Sequence, residues 1–223
     1  MRTLTSSLFT FPDGLTLWVR ALYQLLSSTA SSTSYHQRHE DIMAEYDIIK
    51  NCQQNPKYFA PLYTRYYDQI FIFIYKRTDD MDVTADLTSK VFLKSLKNIG
   101  SYKYQGVPFS AWLYKIALNE INMYFRQQKK QERTVSLEQH HVYNLIGEIN
   151  YQEVDIDPEV IVTVLLEQLD DKEIQFIELR FFENHSFKEI GYLLGMSEVN
   201  AKIKTYRILK KLKKISTQIN YNN

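Results

Sequence analysis

A row of polar and basic side chains near the C-terminus has the residue types and spacing of a nucleic-acid-binding surface. Its members recur at intervals of four and three residues, on one face of a predicted helix: Asn200, Lys204, Arg207, Lys211 and Lys214. Lys202, Lys210 and Lys213 broaden the row. Lysine and arginine bind phosphates, and lysine and asparagine also read base edges. The spacing predicts a DNA-binding helix; the alternative is a lysine-rich helix end on an ordinary α-helical domain.

The residues that could support catalysis or bind a metal are few and scattered. Cys52 is the single cysteine and has no histidine near it in the sequence, so we expect a free structural thiol. His140 and His141 are adjacent but lack a cysteine or carboxylate at ligand spacing, and we interpret them as linker residues. The sequence contains no glycine-rich phosphate loop. We therefore predict a protein that is not an enzyme, with no metal, no cofactor and no small-molecule substrate.

The basic row belongs to the second helix of a predicted helix-turn-helix. Residues 186–189 (Ser-Phe-Lys-Glu) have the spacing of a capping box and open a short helix that ends at Leu194. Gly195 can adopt the positive φ that the turn requires. Ser197 can cap the longer helix, which we expect over 198–215.

The N-terminal part of such a second helix enters the major groove of DNA. Asn200, Lys202, Ile203 and Lys204 are then expected nearest the base edges, with Ile203 able to touch a thymine methyl group. Arg207 and the lysines after it are expected to hold phosphates.

Periodicity leaves open which side of this helix is buried. One apolar stripe consists of Ala201, Thr205, Ile208, Leu212 and Ile215. A competing stripe consists of Val199, Ile203, Tyr206 and Leu209. Both have helical spacing.

The whole sequence predicts an all-α protein of two small helical domains. Six glycines and five prolines in 223 residues are too few for a turn-rich β-fold. We expect an extension over 1–42 that is disordered or not translated (with Met43 as an alternative start), a helical domain over 43–130, a linker over 131–157 and a second helical domain over 158–223. In the first domain, Thr84 is expected to cap a helix that starts at Ala85. A further helix is expected from about Pro108.

The net charge of +1 hides a strong segregation of charge. The extension is neutral, residues 43–130 have a net charge of +5, residues 131–185 have −10 and residues 186–223 have +6. A phosphate-binding surface requires local positive charge and not a positive total. The near-neutral total therefore does not exclude a DNA partner.

Two runs in the first predicted domain precede the helix-turn-helix: residues 85–92 (Ala-Asp-Leu-Thr-Ser-Lys-Val-Phe) and residues 109–117 (Phe-Ser-Ala-Trp-Leu-Tyr-Lys-Ile-Ala), followed by Asn119. The second domain adds Leu179-Arg180, Ser186, Glu189-Ile190 and residues 194–197 (Leu-Gly-Met-Ser). These segments resemble regions two and four of the extracytoplasmic-function (ECF) group of bacterial RNA polymerase sigma factors. The resemblance covers about 45–128 and 160–215.

The resemblance implies a transcription initiation factor that binds core RNA polymerase and directs it to promoter DNA. Region two would dock on the β′ clamp helices through a surface that includes Asp86, Leu87, Val91 and Phe92. It would also bind and open the minus-ten element, with candidate contacts at Tyr102, Tyr104, Lys115, Asn119, Asn122 and Arg126. Phe109 and Trp112 are expected in the core. Region four would touch the β flap and read the minus-thirty-five element, with candidate contacts at Ser197, Asn200, Lys202, Ile203, Lys204, Arg207 and Lys211.

The resemblance also favours burial of the stripe that begins at Ala201, places the protein in the cytoplasm and allows for an anti-sigma factor as a partner. The sequence departs from the family at Ser89 and Lys90, where glutamine and an acidic residue are usual.

Two alternative functions stay open. One is a stand-alone helix-turn-helix regulator that binds duplex DNA without polymerase, and the other is a module whose basic helix contacts an acidic protein.

Overall fold

A computed structural model describes residues 39–128, 139–149 and 158–221. Within these residues every regular element is helical, which confirms the predicted all-α class. They divide into two compact units, one formed by the described residues up to 128 and the other by those from 139 onward. The predicted extension 1–42 lies outside the described residues except for its last four, as do 131–138 and 150–157 of the predicted linker.

The first unit is built from α-helices and two short 3-10 turns. The α-helices described up to residue 128 are α1 (His39–Gln54), α2 (Ala60–Thr78), α3 (Met81–Asn98) and α4 (Phe109–Gln127). The 3-10 turns are Pro56–Phe59 and Ile99–Ser101, and α1 packs against both. Helices α2, α3 and α4 pack against one another in pairs, so the core of this unit lies between them.

The core of the first unit follows the helical spacing of its apolar residues. On α2 the buried positions are Leu62, Tyr66, Ile70, Phe73 and Ile74, none more than 2% exposed. On α4 they include Phe109, Leu113, Ala117 and Ile121, none more than 1% exposed. Burial of one such large side chain contributes about 1.5–3 kcal/mol, so these stripes fix how the helices pack. The expectation that Phe109 is a core residue is confirmed.

The start of α3 differs from the sequence prediction. The helix begins at Met81 and is capped by Asp80, whose Oδ1 accepts hydrogen bonds from the backbone N–H groups of Asp82 and Val83, each at 3.0 Å. Thr84 is buried inside the first turn, and its hydroxyl donates to the carbonyl oxygen of Asp80 at 2.6 Å. The prediction that Thr84 caps this helix is therefore wrong, because Asp80 satisfies the free N–H groups one turn earlier.

The second unit contains five α-helices within the described residues. They are α5 (Gln139–Ile149), α6 (Pro158–Glu167), α7 (Asp171–Ile177), α8 (Phe187–Leu194) and α9 (Glu198–Tyr221), with a π-helical turn, Glu178–Phe182, after α7. Helix α9 packs on α5, α6, α7 and α8 and is the central helix of the unit. It extends six residues beyond the expected end at residue 215.

Helix α5 occupies part of the stretch expected as a linker. Val142, Leu145 and Ile149 are buried at helical spacing, and α5 packs on α6, α9 and the π-helical turn. His141, interpreted as a linker residue, is 3% exposed and stacks on the ring of Phe182, with 5.1 Å between the ring centroids. The apolar residues of α5 therefore belong to the core of the second unit.

Candidate nucleic-acid interface

The helix-turn-helix predicted from the sequence is present as α8, a short turn and α9. Ser186 Oγ accepts a hydrogen bond from the backbone N–H of Glu189 at 3.2 Å, and Glu189 Oε2 accepts one from the backbone N–H of Ser186 at 2.8 Å. Gly195 ends α8 with a φ of 68°, a conformation that costs other residues about 1–2 kcal/mol. Ser197 Oγ accepts from the backbone N–H of Asn200 at 3.2 Å. These contacts confirm the predicted capping box, turn and cap.

Gly191 allows the backbone of the turn to lie directly against α8. A Cβ atom at this position would lie 2.8 Å from the carbonyl oxygen of Met196 and 3.1 Å from the backbone nitrogen of Glu198. The carbonyl oxygen of Gly191 accepts a hydrogen bond from the Met196 N–H at 2.8 Å. Gly191 therefore sets how closely α8 approaches the turn and the start of α9.

A buried charged group stabilises the start of α8. Glu189 is 5% exposed, and His185 Nδ1 lies 3.9 Å from Glu189 Oε2. Burial by itself would raise the pKa of Glu189, but the neighbouring His185 and the hydrogen bonds from Ser186 outweigh burial and hold that pKa below its usual range. Arg180 adds a hydrogen bond to the carbonyl oxygen of His185 at 3.0 Å. The loop before α8 is thus held by hydrogen bonds and charge as well as by packing.

The structure decides which apolar stripe of α9 is buried. Ala201, Thr205, Ile208 and Leu212 are between 0% and 5% exposed, so the stripe favoured by the resemblance is the buried one, with Ile215 half-buried at its end. Of the competing stripe only Leu209 is buried. The other three residues of that stripe face away from the core.

All seven residues expected to contact the upstream element are exposed: Ser197, Asn200, Lys202, Ile203, Lys204, Arg207 and Lys211. Lys211 Nζ donates to Glu173 Oε2 at 2.7 Å, across to α7. The side chain of Lys211 is 42% exposed, and a solvated ion pair of this kind contributes at most about 1 kcal/mol. A DNA phosphate can therefore compete with Glu173 for this lysine.

Two exposed apolar residues of α9 were absent from the predicted set. Val199 is 65% exposed and Tyr206 is 52% exposed, and both lie on the same side of the helix as Ile203. The signal that could have identified them was the competing apolar stripe, which the sequence alone did not assign to the core or to solvent.

On α4, three of the residues expected at the minus-ten element share an exposed face. Asn119, Asn122 and Arg126 are exposed at the i, i+3 and i+7 positions, and Lys115 is half-exposed one turn earlier. Side chains at this spacing lie on one side of a helix. The first unit thus presents a polar row that ends in a positive charge.

The two tyrosines before α4 have different environments. Tyr104 is 52% exposed, whereas Tyr102 is 9% exposed and packs on Phe109 and Trp112, with ring centroids 5.2 Å and 5.0 Å away. Gln53 also donates to the carbonyl oxygen of Tyr102 at 2.9 Å. The ring of Tyr104 is therefore open to solvent, while Tyr102 supports the loop from inside. Trp112, expected in the core, is half-buried.

The residues expected to meet core polymerase lie on α3 but on two different sides of it. Leu87, Val91 and Phe92 are between 0% and 4% exposed and belong to the core of the first unit. Asp86 is exposed and pairs with Lys90 at 2.6 Å. The structure therefore brings Asp86, and not the three apolar residues, to the surface.

No cluster of at least three His, Cys, Asp or Glu side chains suited to a metal ion occurs in the described part of the chain. Cys52 is a free thiol, fully buried, and donates to the carbonyl oxygen of Tyr58 at 3.1 Å. Burial raises the pKa of this thiol. Among the described helices none has the length and apolar character needed to cross a membrane.

Comparisons with known proteins match both units. The family model for Sigma-70 region 2 matches residues 62–131, and the model for Sigma-70, region 4 matches residues 165–214. The ECF RNA polymerase sigma factor BldN of Streptomyces coelicolor is 29% identical over 166 residues, which cover 70% of this chain and 60% of BldN. The ECF RNA polymerase sigma factor SigM of Bacillus subtilis is 26% identical, over 68% of this chain and 91% of SigM.

The RNA polymerase sigma factor YlaC of Bacillus subtilis is 28% identical, over 70% of this chain and 91% of YlaC. A solved structure described as a 1.8 Å structure of the RsbN–BldN complex is 24% identical, with a TM-score of 0.32, and covers 75% of this chain and 98% of that one. Two Sigma-70 regions, in order along the chain and each on its own helical unit, identify this chain as a member of the ECF group of RNA polymerase sigma factors, which direct the polymerase to promoters.

Proposed function

We propose that the second unit reads the minus-thirty-five element as duplex DNA through the exposed side of α9. The observation that carries the proposal is that all seven candidate contact residues are exposed while the opposite side of α9 is buried. Residues 186–223 have a net charge of +6. A charge of this size favours a polyanion such as DNA over a short acidic peptide as the partner. The N-terminal half of α9 meets the bases, and Arg207 and Lys211 hold phosphates.

The first unit binds and opens the minus-ten element. Strand separation requires a surface that accepts unstacked bases and a nearby positive charge for the backbone. The exposed row of Asn119, Asn122 and Arg126 on α4 supports this role, and the exposed ring of Tyr104 is available for stacking. Lys115 lies on the same helix, and Tyr102 acts by holding the loop in place.

Helix α3 docks on the β′ clamp helices of core polymerase through its exposed side, where Asp86 and Lys90 lie. Leu87, Val91 and Phe92 act from within the core by fixing the orientation of this side. The second unit touches the β flap of the polymerase. In the free state the protein is restrained by an anti-sigma factor. It works in the cytoplasm, together with the polymerase.

The division of roles is tested with holoenzyme reconstituted from the full chain and purified bacterial core polymerase. One variant carries Lys204→Ala and Arg207→Ala in α9, and a matched variant carries Asn122→Ala and Arg126→Ala in α4. Both are expected to reduce transcription from a fully paired promoter. Lys50→Ala, an exposed lysine on α1, is the control and is expected to leave transcription unchanged.

The same variants are then tested on a promoter whose minus-ten segment is already opened by mismatched bases. Because this template removes the need for strand separation, we expect it to restore most of the activity of the α4 variant. The α9 variant is expected to remain impaired, since its upstream element is still duplex. Equal rescue of the two variants, or rescue of neither, contradicts the proposed division.

A further inference from the structure

The N-terminal half of α9 exposes three apolar side chains on one side. Val199 is 65% exposed, Ile203 is 44% exposed and Tyr206 is 52% exposed. They occupy the i, i+4 and i+7 positions, so they form a continuous strip on the helix surface. We refer to these three residues as the apolar strip.

The apolar strip occupies the part of α9 that points away from the domain. At about 100° per residue, Ile203 lies roughly opposite the buried stripe that contains Thr205 and Leu212. Lys210 continues the same side toward the C-terminus, and Lys202 lies beside the strip. The apolar strip therefore lies at the centre of the exposed face of α9. The polar row that begins at Asn200 lies along one edge of that face.

One member of the strip, Tyr206, contacts the first helix of the motif. The ring of Phe187, on α8, lies 6.1 Å from the ring of Tyr206, measured between centroids. The ring of Phe187 is itself covered by the guanidinium of Arg180, which lies 4.8 Å from the ring centroid. Tyr206 is thus placed by neighbouring side chains, although half of its surface is exposed.

An apolar strip surrounded by positive charge fits one feature of duplex DNA. The C5-methyl group of thymine is an apolar group in the major groove, and it lies within a field of phosphates that the flanking lysines can bind. From Val199 to Tyr206 the helix rises about 10 Å, which is the length of about three base pairs. An apolar protein groove would also bury the strip, but it would leave the surrounding lysine side chains without matching charge.

We infer that Val199, Ile203 and Tyr206 are specificity-determining residues that read thymine methyl groups in the upstream element. The inference rests on the proposed function of the second unit and adds to it a base preference. The inference predicts that the upstream element contains at least two thymines within three neighbouring base pairs. These thymines can lie on either DNA strand, provided that their methyl groups face the strip. Asn200 and Lys202 then read the hydrogen-bonding edges beside them.

The test removes only the methyl groups. Promoter duplexes are first selected from a random-sequence pool by the reconstituted holoenzyme, and each thymine of the selected upstream element is then replaced by uracil. Uracil keeps the base pairing and the hydrogen-bonding groups of thymine. We expect affinity to fall about fourfold for each contacted methyl group, the ratio expected from burying one such group.

Variants connect this effect to the strip. In holoenzymes with Ile203→Ala or Val199→Ala, the uracil penalty is expected to disappear at the thymines that the replaced side chain contacts and to remain at the others, because only those methyl groups have lost their partner. Val160→Ala, an exposed valine on α6, is the matched control and is expected to keep the full sensitivity to uracil. The thermal unfolding of each variant is measured to exclude a loss of folding.

Three results overturn the inference. The first is wild-type binding that does not change with uracil, and the second is an equal uracil penalty in the strip variants. The third is a loss of binding to core polymerase without DNA in the strip variants, which would assign the strip to a protein partner. Failure of the proposed function is distinguishable, because in that case the wild-type protein selects no promoter with core polymerase.

Discussion

Glu189 links the stability of the helix-turn-helix to pH. Its pKa in the folded protein lies below the ordinary value of 4.5. The carboxylate therefore stabilises the second unit above that ordinary value, and this stabilisation is lost as pH falls through the lower pKa of the folded state. We expect the urea midpoint of unfolding to decrease between about pH 6 and pH 3, with part of the decrease due to this one group.

Glu189→Gln separates the charge from the hydrogen bonds. Glutamine can keep the capping box, because its side-chain oxygen can accept from the Ser186 N–H. The variant is expected to be less stable than wild type near neutral pH, and its midpoint should fall less steeply in acid. An acid dependence as steep as that of the wild-type protein would show that Glu189 does not contribute to it.

Lys204 tests the assignment of base contacts to the N-terminal half of α9. Lys204→Ala is expected to weaken binding of the holoenzyme to a duplex with the upstream element by about 1–3 kcal/mol and to relax the base preference at one position. Binding to core polymerase should stay unchanged. Titrations with promoter DNA and with core polymerase measure the two affinities, with Lys50→Ala as the control. Equal loss of DNA binding and core binding would contradict the role given to Lys204.

At the scale of the elements, Asp80 determines where α3 begins. Asp80→Ala removes the acceptor for two backbone N–H groups, and we expect the free energy of unfolding of the first unit to decrease by about 1 kcal/mol. Asp82→Ala is the control, because Asp82 is also acidic and in the first turn but donates only its backbone N–H to the cap. A loss for Asp82→Ala as large as that for Asp80→Ala would exclude capping as the cause.

The approach of α8 to the turn depends on the missing side chain at Gly191. Gly191→Val places atoms against the backbone of Met196 and Glu198, and overpacking of this kind costs about 1–3 kcal/mol. Gly147→Val is a matched change on α5, where a Cβ atom meets nothing within 4 Å. Thermal unfolding should show a clear loss for the first variant and little change for the second. Similar melting temperatures would mean that the two elements can move apart at no cost.

The elements that the sequence predicted well are those with local signals. The capping box at Ser186 and the turn at Gly195 depend on residues within one turn of each other, so their spacing was sufficient. Helix α5 was not predicted, because its three apolar side chains find their partners only on α6, α9 and the π-helical turn. The start of α3 was misplaced because two potential caps, Asp80 and Thr84, lie four residues apart.

The candidate site was predictable in its charge and not in its apolar part. Asn200 and the basic residues that follow it at helical spacing identified the polar row of α9, and all of the predicted residues are exposed. Val199 and Tyr206 were missed because an apolar residue on a helix is usually buried, and only the packing of Ala201 and Leu212 leaves them in solvent. The resemblance placed Leu87, Val91 and Phe92 on a docking surface, but all three are buried. The sequence alone does not tell which apolar residues of a helix the core will use.

At the scale of the whole molecule, the net charge of +1 combines segments of opposite sign. The segments 43–130 and 186–223 have net charges of +5 and +6, and 131–185 has −10. Each positive segment contains one of the two proposed DNA-binding surfaces. We therefore expect the affinity of the holoenzyme for promoter DNA to fall steeply with salt, as it does for strongly basic proteins, despite the near-neutral total. A shallow salt dependence would mean that the acidic segment cancels the positive surfaces.

The central claim is that this chain confers promoter specificity on core polymerase and divides the promoter between its two helical units. The most direct measurement adds the purified full chain to purified bacterial core polymerase and records transcripts from the selected promoter. We predict a stable complex and transcripts from one defined start, lost with the α9 variant and recovered on pre-opened DNA with the α4 variant. No binding to core polymerase above background, or promoter binding by the free chain with no effect on transcription, would contradict it.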